Sequence, residues 1–597
     1  MDAVMLTLLG ATVFLPAFAF RFAAFDGDVV AVLYREPKKD IIGVLVWLLV
    51  LAFFLLKGRA LDLRDLARRI SDPTIISLSL LLSYFGLTRL WVMIPENWTY
   101  EMSQYALLFV LLLVGLVWSS TDPAVPVVIR YGLITSIAVV TGIGMIQWAF
   151  PSVVPAAINP FNQVAHPSLM GYKNPAALSV LAQFFILAGV AFSLELRSKT
   201  VKFLIVLLLA VELIYIVSLQ SRTALVALAC GSVVLLGLQA IKTRGLHRRT
   251  IITVVAGVTI AATALLVIPN ASSRNQSALD ILIDPASYLE TDRGVYLLNT
   301  LKMVSHHPYG VGIGDWQTRY PVYRDTDLGF AFDDDFQVRR AHSDHIQILG
   351  EAGWPGLILW LGFLGLLVWR CGRSAIQTGD LMAACITAQL VAISVAMCSD
   401  FFTEIPYNKY QFFLVVLLAI DCTKSTRSIG SLRPKQFYES LAIISPLIAI
   451  ATITCIVATI QTEGKLVGSA TSTAIFLHTI HSDPGASSSS QLLEETTEIG
   501  RGWVTASGHW KSLYRDHLAL AKSAAMIGRD RMARVQTLES IHLYPFNPQS
   551  LRLMAALSRD PVEASLWLAA SHHVEEDSGN GFTIQHPLGD RYTDMAH

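Results

Sequence analysis

An all-α polytopic membrane protein is the fold class this chain predicts, and three observations carry the prediction. Of 597 residues, 53% are hydrophobic and only 15% charged. Mean hydropathy is +0.52. Apolar stretches near the roughly 20 helical residues needed to cross a hydrocarbon core recur along most of the chain. A soluble globular fold is excluded by this composition.

The apolar stretches run 4–24, 41–56, 74–94, 104–119, 126–150, 175–194, 201–219, 221–240, 251–269, 354–370, 379–398, 406–421 and 440–461. They give about 12–13 spans, the lower figure applying if the tight Ser218–Ser221 connection conceals one broken helix. The first stretch is too long, and lacks the basic start, for a cleavable signal, so it reads as a retained helix. All six cysteines lie within or beside apolar stretches, and no disulfide framework is implied. The 45 basic and 45 acidic residues balance. No global field attracts nucleic acid, and the informative feature is how charge alternates between loops.

Basic residues collect in every second loop: Lys57 to Arg69, Arg197 to Lys202, Lys242 to Arg249, Arg370 with Arg373, and Lys424 to Lys435. By the positive-inside rule these loops face the cytoplasm. Glu96–Glu101, Pro151–Asn174, the Ser221-Arg222 corner, a polar insert at 270–353 and the Asp400–Tyr407 corner then share the outer face. Arg35, Lys38 and Lys39 break the alternation, either because a long loop is exempt or because outward cations hold an anionic ligand. The expected organisation is N-terminal transmembrane helices over 1–269, an outward catalytic loop over 270–353, C-terminal transmembrane helices over 354–461, and an outward linker with a helical tail over 462–597. In the tail, apolar residues at helical spacing around 512–522 and 531–539 precede Tyr544-Pro545-Phe546-Asn547-Pro548, the break expected in paired-helix repeats. Such a tail reads equally as a docking or acceptor-binding module and as a stabilising element.

The insert exceeds what helix connection needs, and catalysis is expected there. The outer face gathers Lys173, Arg222, Arg274, Arg293, Arg319, Arg339 and Arg340. Guanidinium forks match phosphate oxygens bidentately and stay charged, which suits a diphosphate leaving group. Arg222 opens an apolar helix and reads either as such a contact or as a snorkelling anchor. His342, just before the chain re-enters the membrane, has the side chain whose pKa lies nearest neutrality and is the candidate general base, against the plainer reading of a polar loop residue. His345 is either a second substrate contact or a bundle-facing residue. Asp333, Asp334 and Asp335 read as a solvated loop, so neither metal nor cofactor is expected. Gly310 to Gly314 follow no parallel strand and read as a tight turn, not a nucleotide loop.

Four short motifs in order carry a family resemblance. His342-Ser343-Asp344-His345-Ile346-Gln347-Ile348-Leu349-Gly350-Glu351-Ala352-Gly353 resembles the His-Asn-x-x-Leu-Gln-x-Leu-x-Glu-x-Gly signature of the O-antigen ligase and polymerase superfamily. Gly171-Tyr172-Lys173-Asn174, Ser221-Arg222-Thr223-Ala224 and the Gly310–Gly314 turn resemble three further family segments. The resemblance covers about 165–420 and departs from the pattern at Ser343 and His345, which bears on acceptor specificity. It implies a metal-independent glycosyltransferase of the bacterial inner membrane, inverting if the attack is a single displacement. Such an enzyme moves an undecaprenyl-diphosphate-linked glycan to a lipid, glycan or protein acceptor on the periplasmic side, with His342 and Arg222 in essential roles. Ligation, polymerisation and O-linked protein glycosylation share this chemistry. A transporter is the rival class, but it predicts ionisable residues inside the spans, where Glu212 is almost alone.

Overall fold

The computed structural model describes residues 2–18, 21–25, 28–33, 35–57, 70–150, 166–192, 198–242, 292–323, 340–423, 514–526, 528–543 and 547–576. Its helices are α1 (Asp2–Phe14), α2 (Arg35–Lys57), α3 (Pro73–Leu87), α4 (Pro95–Thr121), α5 (Ala124–Ala149), α6 (Lys173–Phe192), α7 (Lys199–Ser218), α8 (Arg222–Lys242), α9 (Asp292–His306), α10 (Asp344–Thr378), α11 (Leu381–Ser399), α12 (Pro406–Cys422), and in the tail α13 (Tyr514–Met526), α14 (Asp530–Leu543), α15 (Pro548–Leu557) and α16 (Pro561–Glu576). Eight of the described helices are long and apolar enough to cross a membrane, and 3–18 and 41–56 form shorter apolar helices. The expected spans 251–269 and 440–461 lie outside the described residues.

One expectation is corrected at the N-terminus. The first apolar stretch is not one helix over 4–24: α1 ends at Phe14, a 3-10 turn covers Leu15–Phe18, and an antiparallel hairpin pairs Arg21–Phe25 with Asp28–Leu33. The fold is all-α, as expected, with one small hairpin among the described residues. Pro16 is the physical reason, because it has no N–H to offer the Thr12 carbonyl four residues back and its ring crowds that carbonyl. The Tyr410 hydroxyl donates to Thr12 O instead, at 2.8 Å. The Ser218–Ser221 connection separates two helices, with Gln220 at φ +50° turning the chain between α7 and α8.

α6 is the central helix. It packs against α5, α7, α8, α11 and α12, and its apolar window is 94% buried, against 22% for α7, whose Phe203, Leu204, Leu207 and Ile214 face outward. A helix surrounded by others in lipid packs through close backbone approach and polar bridges, since lipid tails are as apolar as leucine. Gly231 supplies the approach: a Cβ there would meet the Phe185 ring at 2.5 Å and Ala388 O at 2.9 Å. Gln389 supplies a bridge to one turn of α6, accepting from Phe185 N at 3.0 Å and donating to Leu181 O at 2.6 Å.

The signature segment folds as the start of α10, which breaks at Gly353 (φ +65°, ψ −168°), two residues before Pro355. Proline cannot donate to Glu351 O, and the break turns Trp354 N toward Pro308 O (3.0 Å) and away from Gly350 O. Both orphaned carbonyls are taken by the glycine turn, Val311 N donating to Gly350 O (3.0 Å) and Gly312 N to Glu351 O (2.8 Å). Gly310, Gly312 and Gly314 all have positive φ, and a Cβ at Gly310 would meet Glu351 O at 2.3 Å. The turn is thus the hydrogen-bonding complement of a broken helix, in keeping with its reading as a tight turn.

The other side of the turn docks on the loop between α3 and α4. Buried Asp315 accepts from Met93 N at 2.5 Å, Ile94 N at 3.0 Å and Asn97 Nδ2 at 3.3 Å. At the opposite end of the bundle, Asp72 caps α3 and is gripped by both nitrogens of the Arg370 fork, binding α3 to α10.

The tail forms two helical pairs, α13 with α14 and α15 with α16. Their first helices begin 34 residues apart (548 − 514), a period found in paired-helix repeats. Ile541, Leu551, Met554 and Trp567 fall in one apolar cluster with Tyr296, Met303, Trp316, Tyr320 and Ala341.

Gly353→Ala should cost about 3 kcal/mol or more, because it adds a Cβ 2.2 Å from Pro308 O at a left-handed backbone position. A thermal unfolding series in detergent measures this. An alanine variant as stable as the original chain would show that the break does not require glycine.

Candidate active site

His342 sits between segments that are each fastened. Ala341 N donates to Gln347 Oε1 (2.8 Å), and Gln347 Nε2 in turn donates to Glu351 Oε1 (2.7 Å). Ser343 caps α10 by accepting from Ile346 N (3.3 Å) and donates to Met397 O (3.0 Å). Asp344 accepts from the backbone and hydroxyl of Thr403 at 2.9 and 2.8 Å. His342 has φ +52°, a region uncommon for any residue with a side chain but one in which histidine is enriched. Its ring stacks on Tyr296 (centroids 5.6 Å apart, 19°) and meets Phe401 edge-on (4.9 Å, 71°). Burial, with the Arg293 guanidinium adding to it, pushes the imidazole pKa down to about 4. The ring is therefore neutral at pH 7, with no hydrogen bond from either nitrogen to a described residue.

Cations converge beside it from three helices. Arg293, in the first turn of α9 and one turn before Tyr296, lies 3.7 Å from Asp400 and donates to Thr223 Oγ1 at 3.4 Å. Thr223 follows Arg222 at the start of α8 and shares a hydrogen bond with Ser399 (3.0 Å). Lys173, at the start of α6, is close enough to feel the charges of both Arg222 and Arg293. Its neighbour Asn174 donates to Asp400 Oδ2 at 2.9 Å, and Phe401 N donates to Oδ1 at 2.9 Å. Burial raises the Asp400 carboxyl above the usual range, opposed by Arg293 and these two donors. The group can bind a doubly charged anion through Lys173, Arg222 and Arg293 next to a neutral base.

Sequence reasoning had named Lys173, Arg222, Arg293 and His342, and the fold brings these four together. It had not named Asp400, Tyr296 or Phe401. The only sequence signal for Asp400 was its place in an outer corner, since no spacing relates it to residues 58 or more positions away. Arg319 stands elsewhere, beside His307, Tyr323 and Asp315. Arg340 is engaged by carboxylates, Glu404 at 2.5 Å and Glu101 at 3.4 Å. Arg274, Arg339 and Asp333 to Asp335 lie outside the described residues.

His345, expected either to contact substrate or to face the bundle, is turned into the bundle. Trp360 Nε1 donates to its Nδ1 (3.0 Å), and Nε2 lies 3.2 Å from Ser394 O. The first bond fixes Nδ1 as acceptor, so Nε2 carries the hydrogen and both nitrogens are used. His345→Ala should lower thermal stability by about 1–3 kcal/mol through the lost pair of bonds while leaving donor affinity unchanged. A titration with lipid diphosphate checks this, and weakened binding would return His345 to the substrate contacts.

Residues 203–361 match the family model described as O-antigen ligase. No curated protein matches the chain. The matched stretch opens in α7 and closes in α10, taking in Arg222, Arg293 and His342, while Lys173 and Asp400 reach the same site from outside it. Over this stretch, about a quarter of the chain, the protein is similar to the O-antigen ligase family.

Proposed function

We propose that the protein is an inner-membrane glycosyltransferase that moves an undecaprenyl-diphosphate-linked glycan onto an acceptor hydroxyl at the periplasmic face, in the manner of an O-antigen ligase. The observation that carries this reading is a neutral, aromatic-clamped imidazole at His342 beside three converging cations. The match to the O-antigen ligase family model supports glycosyl transfer of the ligase or polymerase type, and the alternation of basic loops supports the orientation.

In the proposed reaction the acceptor hydroxyl gives its proton to a ring nitrogen of His342 as its oxygen attacks the anomeric carbon. The bond from that carbon to the diphosphate oxygen breaks, and the electron pair leaves with undecaprenyl diphosphate. Lys173, Arg222 and Arg293 meet the charge that develops on the leaving group, where a site screened from water strengthens the interaction. Asp400 aims Arg293. A single displacement inverts the anomeric centre, and the residues named supply acid-base and electrostatic work without a metal. Ligation to a lipid acceptor is the form we favour. Polymerisation and O-linked protein glycosylation use the same step with a glycan or protein hydroxyl. Arg319, which stands beside His307 and Tyr323, is assigned to a more distant part of the substrates.

His342→Ala should insert into the membrane normally and lose roughly two to four decades of transfer. Arg222→Lys keeps the charge but loses the planar fork, so transfer and donor binding should both fall. Assays with lipid-linked glycan at matched protein level decide both. Undiminished transfer by His342→Ala would sink the mechanism, and full activity of Arg222→Lys would make Arg222 a membrane anchor.

The acidic limb of the pH profile is a separate test. A base held near pKa 4 is deprotonated throughout the neutral range, so kcat/KM should stay level from pH 7 down to about 5 and fall only below that. A limb near 6.5, the ordinary histidine value, would contradict a buried neutral ring.

A further inference from the structure

Arg340 lies two residues from His342 and was a candidate anion contact, yet its surroundings are those of an internal anchor. Its guanidinium is only 16% exposed and pairs with Glu404 (2.5 Å) on the corner after α11 and with Glu101 (3.4 Å) on α4. Glu101 also holds buried Lys409 of α12 at 3.1 Å. Two cations and two carboxylates are thus linked, with the Glu351 carboxyl also close enough to act on Arg340, and an incoming diphosphate would have to displace a carboxylate to reach Arg340. Breaking one partner out of such a buried group is costly.

The anchored elements are those that confine the His342 ring. The corner that carries Glu404 also carries Phe401, which meets the ring edge-on, and Asp400, which pairs with Arg293. It carries Thr403 as well, which holds Asp344. The Ala341–Gln347 hydrogen bond and the Asp344–Thr403 bonds fasten the chain on either side of His342 at its positive φ. Without Arg340, the segment before His342 and the corner bearing Phe401 lose their direct ionic tie.

We propose that Arg340 is a positioning residue for His342: through Glu404 and Glu101 it fixes the segment entering α10 against the Phe401 corner and so holds the imidazole where the acceptor oxygen must attack. The assignment rests on the proposed transfer reaction for its catalytic meaning and makes Arg340 no donor contact. Glu404 provides the discriminating variant. If Arg340 bound the donor, removing a competing carboxylate would leave or improve donor binding. If Arg340 positions His342, removing Glu404 releases it just as removing Arg340 does.

The test uses the full-length chain in detergent with Arg340→Gln, Arg340→Lys and Glu404→Gln. Transfer kinetics are measured alongside the rate at which diethyl pyrocarbonate modifies His342 without substrate, followed on its peptide by mass spectrometry. Arg340→Gln and Glu404→Gln should each lower kcat by roughly 10²-fold, the scale of an ångström-sized misplacement, with donor KM little changed. Both should speed modification of His342, and Arg340→Lys should fall between them and the original chain. A raised donor KM in Arg340→Gln with normal kinetics in Glu404→Gln would overturn the proposal, as would unchanged labelling in both. Should Arg340→Gln fail to fold, Glu404→Gln and Arg340→Lys give the same decision. An original chain that transfers no lipid-linked glycan would remove the proposed function, while the labelling comparison would still decide whether Arg340 holds the ring.

Discussion

A broken helix whose freed carbonyls must be satisfied away from water is the constraint on which this architecture turns. Pro355 and the left-handed Gly353 leave Gly350 O and Glu351 O without their helical donors at buried residues, where an unmet backbone group is costly. The Gly310–Gly314 turn answers both carbonyls and is itself fixed through Asp315 to the backbone between α3 and α4. The entry to α10 is therefore held from two sides, and His342 stands at that entry.

Electrostatics organises the rest of this end of the bundle in two parts that differ in how they are neutralised. Around Arg340, cations and carboxylates are matched and buried, which makes the group a fastening. Around Arg293, one carboxylate, Asp400, faces Arg293 itself while Lys173 and Arg222 add further positive charge nearby. Cations gathered close to a desolvated imidazole are the arrangement on which the proposed anion contact rests. Burial, with Arg293 adding to it, keeps His342 unprotonated.

The helical class was legible because lipid admits so few solutions: composition and the length of apolar stretches sufficed, and eight described helices meet that length. The first stretch misled because hydropathy does not register a missing N–H. Only the conformation shows Pro16 ending α1 and Tyr410 covering Thr12 O. The site was legible where a motif marks a turn or a helix start, as at Lys173, Arg222 and His342. It was not legible for Asp400, whose partners Asn174 and Arg293 lie 226 and 107 positions earlier (400 − 174 and 400 − 293).

By itself, the sequence determined that the chain is a helical membrane protein, that basic loops alternate along it, and that one end of the bundle collects cations and a histidine signature, because hydrophobicity and charge are properties of residues and survive in any arrangement. Tertiary structure decided which of those residues meet. It set His342 between Tyr296 and Phe401, turned His345 inward to Trp360 and Ser394, and gave Arg340 to Glu101 and Glu404. These differences depend on distance and burial across elements remote in sequence, and no periodicity along the chain encodes which of two nearby histidines, or which of several arginines, will find its partner inside.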